Sequence, residues 1–549
     1  MSTKSTAQLK SKLSGPKSSE IAPVDHSTHL DYFDVAIVGS DILAAGVARE
    51  AALRGLKTII INSEDFANNL SESSGEITLG VERYQNNHDL SLNWEASRER
   101  KMLQEICPQL DKKLPYIIPL TKVEQKSHYT KKLSGALYDL MADLKLKLRY
   151  SELKESELIK ELPGYDRKKY PHHTLFYDSQ LPHDRFLITN LLDAADNHSQ
   201  QYNYWKIEKL EDFLDKIKLF LLDTITGKRQ EIVAKLILNL SGPFANSNLQ
   251  KWGLPVSDNQ QVIKRQQFFL PTVSNHYGII FPNPDSDQMI YAIPWENGTL
   301  VSHTSTEVYQ NFSSPQVSQK FIQTALAAIN DLFPEKKFTT ADVIAPMASL
   351  KSYLPEHQSS IVINKFGQSN IITVYGGKFS TYLKLAQELV QKSIKIIDKK
   401  FGPSISATAR LRGSQFNEEN FVSFLGHRLI SNFTIQQLPI DVAMNILHMY
   451  GTAVNQFEFV PYLAKLRATE RVCPGSSFIW AQFYYSVDNE FVRKPSDFAL
   501  RRSSFFLDLL KNHSSIATYF QQAGEYLHLT KIQIDEDLER FLSYFVTTD

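Results

Sequence analysis

The chain opens its ordered part with a short apolar run followed by a helical repeat. Residues 33–39 (FDVAIVG) are almost wholly apolar and end in glycine, which predicts a strand buried on both faces. Residues 42–53 carry apolar positions at helical spacing, and Gly55 follows as a typical C-terminal cap. Residues 57–62 (KTIIIN) predict a second buried strand. This succession is a βαβ unit, which requires two parallel strands and a crossover.

Later segments predict a larger mixed fold. Residues 91–106 form an amphipathic helical pattern, and residues 233–239 (VAKLILN) and 371–375 (IITVY) predict further buried strands. Residues 267–303 are rich in aromatic and β-branched residues with turn signals between them, which predicts antiparallel sheet with hairpins. Beyond residue 402 the pattern is helical to the end.

Composition narrows the class of protein. The 549 residues suggest three or four structural units at about 150 residues each. Sixty basic and sixty acidic residues leave no net charge, so no nucleic-acid partner is expected. Two cysteines, Cys107 and Cys473, cannot form a disulfide framework or a Cys-rich metal site, which favours a reducing, cytoplasmic location and no metal. Residues 1–30, rich in Ser, Thr, Lys and Pro, predict a disordered leader.

The turn after the first strand is a candidate dinucleotide site with two defects. In the G-x-G-x-x-G pattern, Gly39 fills the first position, Asp41 the second and Ala44 the third, with Ser40 between. Asn62 stands where an acid usually binds the ribose. At an effective dielectric near 20, a carboxylate about 4 Å from a phosphate charge costs about 4 kcal/mol. Dinucleotide binding and a βαβ unit without a nucleotide therefore both stay open on this motif alone.

Five later blocks, taken in order, resemble the FAD-dependent, quinone-linked (aerobic) glycerol-3-phosphate dehydrogenases. The resemblance runs from about residue 32 to residue 509. The blocks are residues 177–185 (YDSQLPHDR), 239–244 (NLSGPF), 293–306 (IPWENGTLVSHTST), 374–386 (VYGGKFSTYLKLA) and 488–502 (DNEFVRKPSDFALRR). No single block is decisive, but their shared order indicates this family.

The resemblance implies an α/β fold in three parts. A Rossmann-like FAD-binding domain would be assembled from discontinuous segments and interleaved with an antiparallel-sheet substrate domain, together occupying residues 31–400. A helical C-terminal domain would occupy residues 405–549. The FAD-binding segments would span about 31–120, 175–250 and 340–400, and the substrate domain about 121–174 and 251–339.

The resemblance also implies the chemistry and the partners. Such an enzyme transfers a hydride from C2 of sn-glycerol 3-phosphate to FAD, forms dihydroxyacetone phosphate and passes the electrons to a quinone. Peripheral attachment to the cytoplasmic membrane is implied, with an amphipathic helix near residues 136–148 flanked by Lys131 and Lys132 as one candidate surface. A solvated helix face is the alternative for that segment, and a homodimer is a further possibility.

Substrate and catalytic residues follow from matching motifs. Arg83 and Tyr84 lie in GVERY, which resembles the family's GGLRY, so Arg83 would contact the substrate phosphate. Lys378 matches the lysine of the GGK block, and Lys351 replaces an arginine of the family. Gln267 stands where the family has a histidine beside the substrate; glutamine hydrogen-bonds but cannot act as a base near neutral pH. The expected catalytic set is Lys378, Gln267 and Arg83, with Arg83, Tyr84, Lys351 and Lys378 binding the substrate.

The expected cofactor contacts come from the dinucleotide turn, the loop that wraps the flavin and the later glycine blocks. They are Gly39, Ser40, Asp41, Ala44, Asn62, Ser73, Ser74, Gly242, Gly376, Gly377 and Thr381. The flavin loop departs from the family at Glu76 and Leu79, and His183 is expected to be an exposed loop histidine.

Three functions are compatible with this combination of retained and replaced site residues. The first is a working glycerol-3-phosphate dehydrogenase. The second is an inactive relative that binds FAD weakly or not at all and serves as a binding or regulatory protein. The third is an FAD enzyme for another substrate, which the retained cations disfavour unless that substrate is also anionic. We take the dehydrogenase as the leading hypothesis and the inactive relative as its alternative.

Overall fold

A computed structural model describes residues 30–68, 90–122, 153–285, 288–295, 298–309, 315–354, 359–416, 423–427 and 437–548. Contacts between Cα atoms divide the chain into Met1–Asp31 and Tyr32–Asp549, and the description below concerns the second unit. The predicted leader and the candidate membrane helix near residues 136–148 lie outside the described residues. Within them, no helix is both long and apolar enough to cross a membrane.

Strands alternate with helices as far as β5, after which β6, β7 and β8 follow without a helix between them. In chain order they are β1 (Asp31–Val38), β2 (Thr58–Asn62), β3 (Lys112–Leu120), β4 (His172–Gln180), β5 (Gln200–Asn203), β6 (Trp205–Phe213), β7 (Lys216–Asp223), β8 (Arg229–Asn239), β9 (Gln261–Leu270), β10 (Gly278–Pro282), β11 (Met289–Trp295), β12 (Gly298–Val308), β13 (Val317–Ser318), β14 (Ile344–Tyr353), β15 (Ser359–Phe366), β16 (Ser369–Gly376) and β17 (Thr547–Thr548).

The main helices surround the sheets and make up most of the C-terminal region. They are α1 (Ile42–Leu53), α2 (Leu90–Ile106), α3 (Glu155–Glu161), α4 (His183–Asp196), α5 (Ala245–Lys251), α6 (Gln319–Leu332), α7 (Tyr382–Ile397), α8 (Ile440–Tyr450), α9 (Trp480–Asn489), α10 (Pro495–Asp497), α11 (Phe506–Lys511), α12 (His513–Tyr526) and α13 (Lys531–Ser543). A π-helical turn, Phe498–Arg502, continues α10.

The first sheet has the strand order expected of a dinucleotide-binding fold. Its order is β15-β16-β8-β1-β2-β5, with the β6–β7 hairpin attached to β8. β1 pairs parallel with β2, β2 with β5, and β8 with β16. Helices α1, α4 and α7 cover one face of this sheet with a shared apolar core. The carboxyl ends of its parallel strands therefore meet at one edge, where this class of sheet binds its ligands.

The second sheet is mostly antiparallel, with the order β14-β9-β12-β11-β10-β3-β4. Helix α6 packs on one face, and helices of the C-terminal region pack on the other. The predicted mixed α/β class, with an FAD-type sheet, an antiparallel sheet and a helical C-terminal region, is confirmed.

Three strands lie in a different sheet from the one their sequence ranges were assigned to. β3, β14 and the part of β4 from residue 175 onward fall within the segments given to the FAD-binding domain, but the structure places all three strands in the second sheet. β3 pairs with β4 and β10, and β14 pairs with β9. A buried apolar run has the same pattern in either sheet, so hydropathy alone does not assign its partners.

Candidate active site at the carboxyl edge of the first sheet

Three backbone segments form a cleft at the carboxyl edge of the first sheet. They are the β1–α1 turn, the turn after β8 and the turn after β16, joined by one segment of β14 from the second sheet. The described residues that line the cleft are Asp41, Ile42, Leu43, Gly242, Pro243, Lys351, Ser352, Gly376, Gly377, Lys378, Phe379, Tyr382 and Leu385. Six of the predicted site residues are thus brought together: Asp41, Gly242, Lys351, Gly376, Gly377 and Lys378.

Glycines leave the backbone of this cleft uncovered. Gly242, Gly376 and Gly377 have φ of +52°, +71° and +106°, a region that favours glycine. A Cβ built on Gly377 would meet only Leu385, at 3.6 Å, and one on Gly242 would meet only Asp41, at 4.0 Å, among the atoms of the described chain. Such positions let peptide groups approach a ligand directly, as a bound dinucleotide requires.

Gly39 has a different purpose. Its φ is +144°, and a Cβ there would lie 2.2 Å from the carbonyl oxygen of Leu240. The glycine therefore allows β1 and the segment after β8 to run past each other in close contact. Gly39 does not line this cleft, and the close contact that it allows packs together the strand ends that frame the site.

Asp41 occupies the N-terminus of α1 with its own carboxylate. The Ala44 N–H donates to Oδ1 of Asp41 at 2.9 Å, which makes Asp41 the N-cap of the helix. Exposed N–H groups and the helix dipole at this point are what attract a phosphate in this class of fold. The chain thus supplies an internal anion at the place where a dinucleotide phosphate would approach.

Lys351 and Lys378 reach the cleft from different sheets. Lys351 lies on β14 of the second sheet, and Lys378 follows the glycine pair that ends β16. The Gly376 N–H donates to Oγ of Ser352 at 3.2 Å, which ties the glycine turn to β14. Ser352 belongs to no recognisable motif in the sequence. Only this contact between the two sheets identifies it as a residue of the cleft.

The other predicted cofactor residues support the site from outside its lining. Ala44 is buried in α1, and Thr381 directly precedes α7. The backbone carbonyl of Ser40 accepts from the Ala67 N–H at 3.1 Å. The Asn62 side-chain amide donates to the carbonyls of Glu64 and Asp65, both at 3.0 Å, so it holds the loop that follows β2.

The predicted catalytic residues are divided between described and undescribed parts of the chain. Gln267 lies on β9, fully buried, opposite Ser302 on β12 and Met347 on β14. Arg83 and Tyr84, like the flavin-loop residues Ser73 and Ser74, lie outside the described residues.

His183 is not the exposed loop histidine expected from the sequence. It begins helix α4, is 1% exposed, and its ring centroid lies 5.2 Å from that of Phe379 at the cleft. Its Nδ1 is 3.3 Å from Oδ1 of Asp184, and burial raises the pKa of Asp184. The expectation failed because β4 carries the turn into the interior, beneath the C-terminal helices.

A larger cavity of about 620 Å³ adjoins His183 where the second sheet meets the C-terminal region. Trp295, Met444 and Phe478 contribute its apolar wall, and Asp184 and Arg501 contribute its polar end. Its lining and that of the glycine cleft have no described residue in common.

Comparison with known families identifies the class. Residues 34–382 match the FAD dependent oxidoreductase family, and residues 404–531 match the C-terminal domain of alpha-glycerophosphate oxidase. The first match covers well over half of the chain, which therefore belongs to the FAD-dependent oxidoreductase family. The chain is an oxidoreductase, and its cofactor is FAD.

Individual relatives agree with the family resemblance found in the sequence. The chain is 26% identical over 495 residues to an aerobic glycerol-3-phosphate dehydrogenase of Staphylococcus epidermidis, covering 86% of each chain. It is 25% identical to the enzyme of the same name in Staphylococcus aureus, covering 86% of this chain and 87% of the other. The resemblance to the glycerol-3-phosphate dehydrogenase family is confirmed, and these relatives give no support to the inactive-relative alternative.

Solved structures share the fold. A glycerol-3-phosphate dehydrogenase from Bacillus halodurans complexed with FAD superposes with a TM-score of 0.73 at 19% identity, covering 94% of both chains. An L-alpha-glycerophosphate oxidase from Mycoplasma pneumoniae with FAD bound has a TM-score of 0.52 at 13% identity, covering 70% of this chain and 99% of the other.

The residues of the cleft fit FAD with one exception. The uncovered peptide groups at Gly242, Gly376 and Gly377 form a backbone surface suited to an extended dinucleotide. The exception is Asp41, whose carboxylate is anionic where the cofactor is anionic. An anionic cofactor placed at the N-terminus of α1 would therefore lie beside the Asp41 carboxylate.

Proposed function

We propose that this protein oxidises sn-glycerol 3-phosphate to dihydroxyacetone phosphate. The observation that carries the proposal is the convergence of Lys351 and Lys378 on the glycine-lined cleft. A phosphate monoester dianion needs several cations directed at one point, and lysine binds phosphate as a point charge. The names of the Staphylococcus relatives support the same substrate.

Each residue then has a defined task. Lys351 and Lys378 bind the phosphate group, and Arg83 and Tyr84 complete that site by resemblance. When bound, FAD accepts the hydride that leaves C2. Gln267 orients the C2 hydroxyl by hydrogen bonding, and the hydroxyl proton passes to water, since an amide does not take up a proton near neutral pH.

The electron acceptor and the setting rest on resemblance to quinone-linked members of the family. We propose that a quinone reoxidises the cofactor at the cytoplasmic surface of a membrane, where the protein is bound peripherally as a homodimer. The two electrons and two protons lost by the alcohol then reduce the quinone to a hydroquinone.

Anaerobic titration of the FAD-loaded protein with glycerol 3-phosphate tests the substrate. We expect the visible flavin band to bleach, and Lys351→Ala or Lys378→Ala to raise the concentration needed by about tenfold or more, since a hydrogen bond to a charged group contributes about 1.5–3 kcal/mol. Lys365→Ala, an exposed lysine on β15, is the matched control and should leave the titration unchanged. A band that persists at saturating glycerol 3-phosphate while FAD stays bound would refute the proposed substrate.

A further inference from the structure

The loop that follows β2, residues 62–68, is held by the C-terminal region and by the end of β5, where Asn203 donates to Oδ1 of Asp65 at 2.8 Å and the Tyr204 N–H donates to the Glu64 carbonyl at 3.1 Å. We call it the β2 loop. Its central residue, Asp65, is 1% exposed and accepts two bonds from Arg502, at 2.7 and 2.8 Å, and one from Arg501, at 2.7 Å. Both arginines lie on the π-helical turn after α10. The paired bonds from Arg502 to one carboxylate have the fork geometry of a strong, directional contact.

Further contacts hold the loop on either side of Asp65. Arg540 of α13 pairs with Glu64 at 2.7 Å, and the Tyr544 hydroxyl donates to Oδ1 of Asn68 at 3.3 Å. The Phe66 ring packs edge-on against Phe491, with centroids 5.7 Å apart. Four separate contact points therefore fix a seven-residue loop against one part of the chain.

The same loop contacts the cofactor edge of the first sheet. The Ala67 N–H donates to the carbonyl of Ser40 in the β1–α1 turn, and Asn62 holds the loop carbonyls from the end of β2. The ends of β1 and β2 are where this class of sheet binds a dinucleotide. Ala67 also has a φ of +57°, which a non-glycine residue keeps only when its surroundings impose it.

We propose that Asp65, Arg501 and Arg502 are positioning residues for FAD, so that the C-terminal region affects the affinity of a cleft that its described residues do not line. The carboxylate of Asp65 is buried, so losing either arginine would leave part of its charge uncompensated and would weaken the hold on the loop. Fixing the loop fixes Asn62 and, through Ala67, the turn that bears Asp41. By linkage, FAD must then stabilise the contact between the C-terminal region and the β2 loop by the same factor.

The test compares Asp65→Asn with Asp508→Asn, a change of the same type within the C-terminal region. Asp508 accepts from Ser476 at 2.6 Å and makes none of the contacts that hold the β2 loop. FAD affinity is measured by fluorescence titration of the full-length apoprotein, and circular dichroism confirms that each variant is folded. We expect Asp65→Asn to weaken FAD binding by about tenfold or more and Asp508→Asn by less than about twofold.

A second readout separates positioning from a general loss of stability. FAD raises the melting temperature of any protein that binds it in the folded state. We expect this rise to shrink in Asp65→Asn and to persist in Asp508→Asn, and Arg502→Lys, which keeps the charge without the paired bonds, to be intermediate. Equal FAD affinity in the wild type and Asp65→Asn, or equal losses in Asp65→Asn and Asp508→Asn, would overturn the proposal.

Should Asp65→Asn not fold, the double variant Arg540→Ala/Tyr544→Phe provides the decisive measurement. It removes two partly exposed contacts and leaves the buried cluster intact. We expect FAD affinity to fall by about fivefold or more, the lower end of typical coupling between sites. Unchanged affinity in this variant would refute control of the cofactor site by the C-terminal region.

Discussion

The carboxylate of Asp41 both stabilises α1 and opposes the ligand that α1 would bind. As an N-cap it satisfies the Ala44 N–H, a contact that contributes about 1 kcal/mol to a typical helix. As an anion it would repel a phosphate group placed at the same helix terminus. The charge and position of the Asp41 carboxylate should therefore affect the affinity for the cofactor.

We expect Asp41→Ser to tighten FAD binding by about tenfold or more, because serine keeps the cap and removes the charge that opposes the phosphates. Asp41→Ala is the matched control, since it removes charge and cap together. It should also bind FAD more tightly, but its free energy of unfolding should be lower by about 1 kcal/mol, because the cap is lost. Fluorescence titration of the apoproteins and urea unfolding measure the two effects. Unaltered or weaker FAD binding by Asp41→Ser would contradict competition at the helix terminus.

At the scale of elements, the first sheet depends on a close contact between α1 and α7. Gly46 of α1 faces the ring of Tyr382 at the start of α7, and a Cβ at Gly46 would lie 2.7 Å from Cε2 of that ring. The contact brings α7, and the Gly376–Lys378 turn before it, against the start of α1. The width of the cleft follows from this helix packing.

We expect Gly46→Ala to lower the free energy of unfolding by about 1–3 kcal/mol, the usual cost of overpacking a core. Gly426→Ala is the control, since a Cβ at Gly426 would meet no atom of the described chain within 4 Å. Because residues 423–427 are helical, alanine at this position should raise the free energy of unfolding by up to about 1 kcal/mol rather than lower it. Chemical denaturation of both variants measures the difference. Equal stabilities would mean that α1 and α7 move apart without cost.

At the scale of the whole molecule, a buried ion cluster joins the C-terminal region to the first sheet. Burial alone would raise the pKa of Asp65, but Arg502 and Arg501 outweigh it and lower that pKa to about 2. Burial, together with the nearby Asp65, raises the pKa of Asp497 to about 6. Asp497 accepts from Arg501 and from the Tyr204 hydroxyl, which extends the cluster to the segment after β5.

The two acids have opposite effects on the pH dependence of stability. The contribution of Asp65 is complete above its unfolded pKa near 4 and is lost as pH falls toward 2. Between about pH 4 and pH 6, Asp497 is protonated in the folded protein but ionised in the unfolded chain. Its contribution therefore falls as pH rises through that window.

We expect Asp497→Asn to remove a loss of stability on the order of 2 kcal/mol between about pH 4 and pH 6, because asparagine does not titrate. The measurement is urea unfolding of the wild type and the variant at several pH values in that range, comparing slopes rather than absolute stabilities. Asp535→Asn, an exposed residue on α13 outside the cluster, provides the background slope. Parallel pH profiles for the wild type and Asp497→Asn would contradict the raised pKa.

Local pattern predicted much of the first sheet and part of its site. The strands near residues 33–39 and 57–62 and the helix at residues 42–53 are present as β1, β2 and α1, because each is specified by apolar spacing within its own segment. Glycine pairs such as Gly376–Gly377 mark a cleft because only glycine adopts their backbone angles freely. Asp41 as a charge opposing a phosphate was also evident from its position in the motif.

Contacts between segments far apart in the chain could not be predicted from local sequence patterns. The sequence analysis included Asp497, Arg501 and Arg502 in a resembling block, but nothing local pairs them with Asp65, more than four hundred residues away. His183 was expected in solvent because a Pro-His-Asp turn looks like a surface loop until the C-terminal helices cover it.

The amino-acid sequence by itself determined the family, the βαβ start, the cofactor and the residue types of the cleft, since these depend on spacing and chemistry within short blocks. Tertiary structure alone decided that Ser352 ties the glycine turn to β14, that β3, β4 and β14 belong to the second sheet, and that the β2 loop is held from the C-terminal region. Strand partners and buried ion pairs are chosen by packing over the whole chain, and no local pattern records that choice.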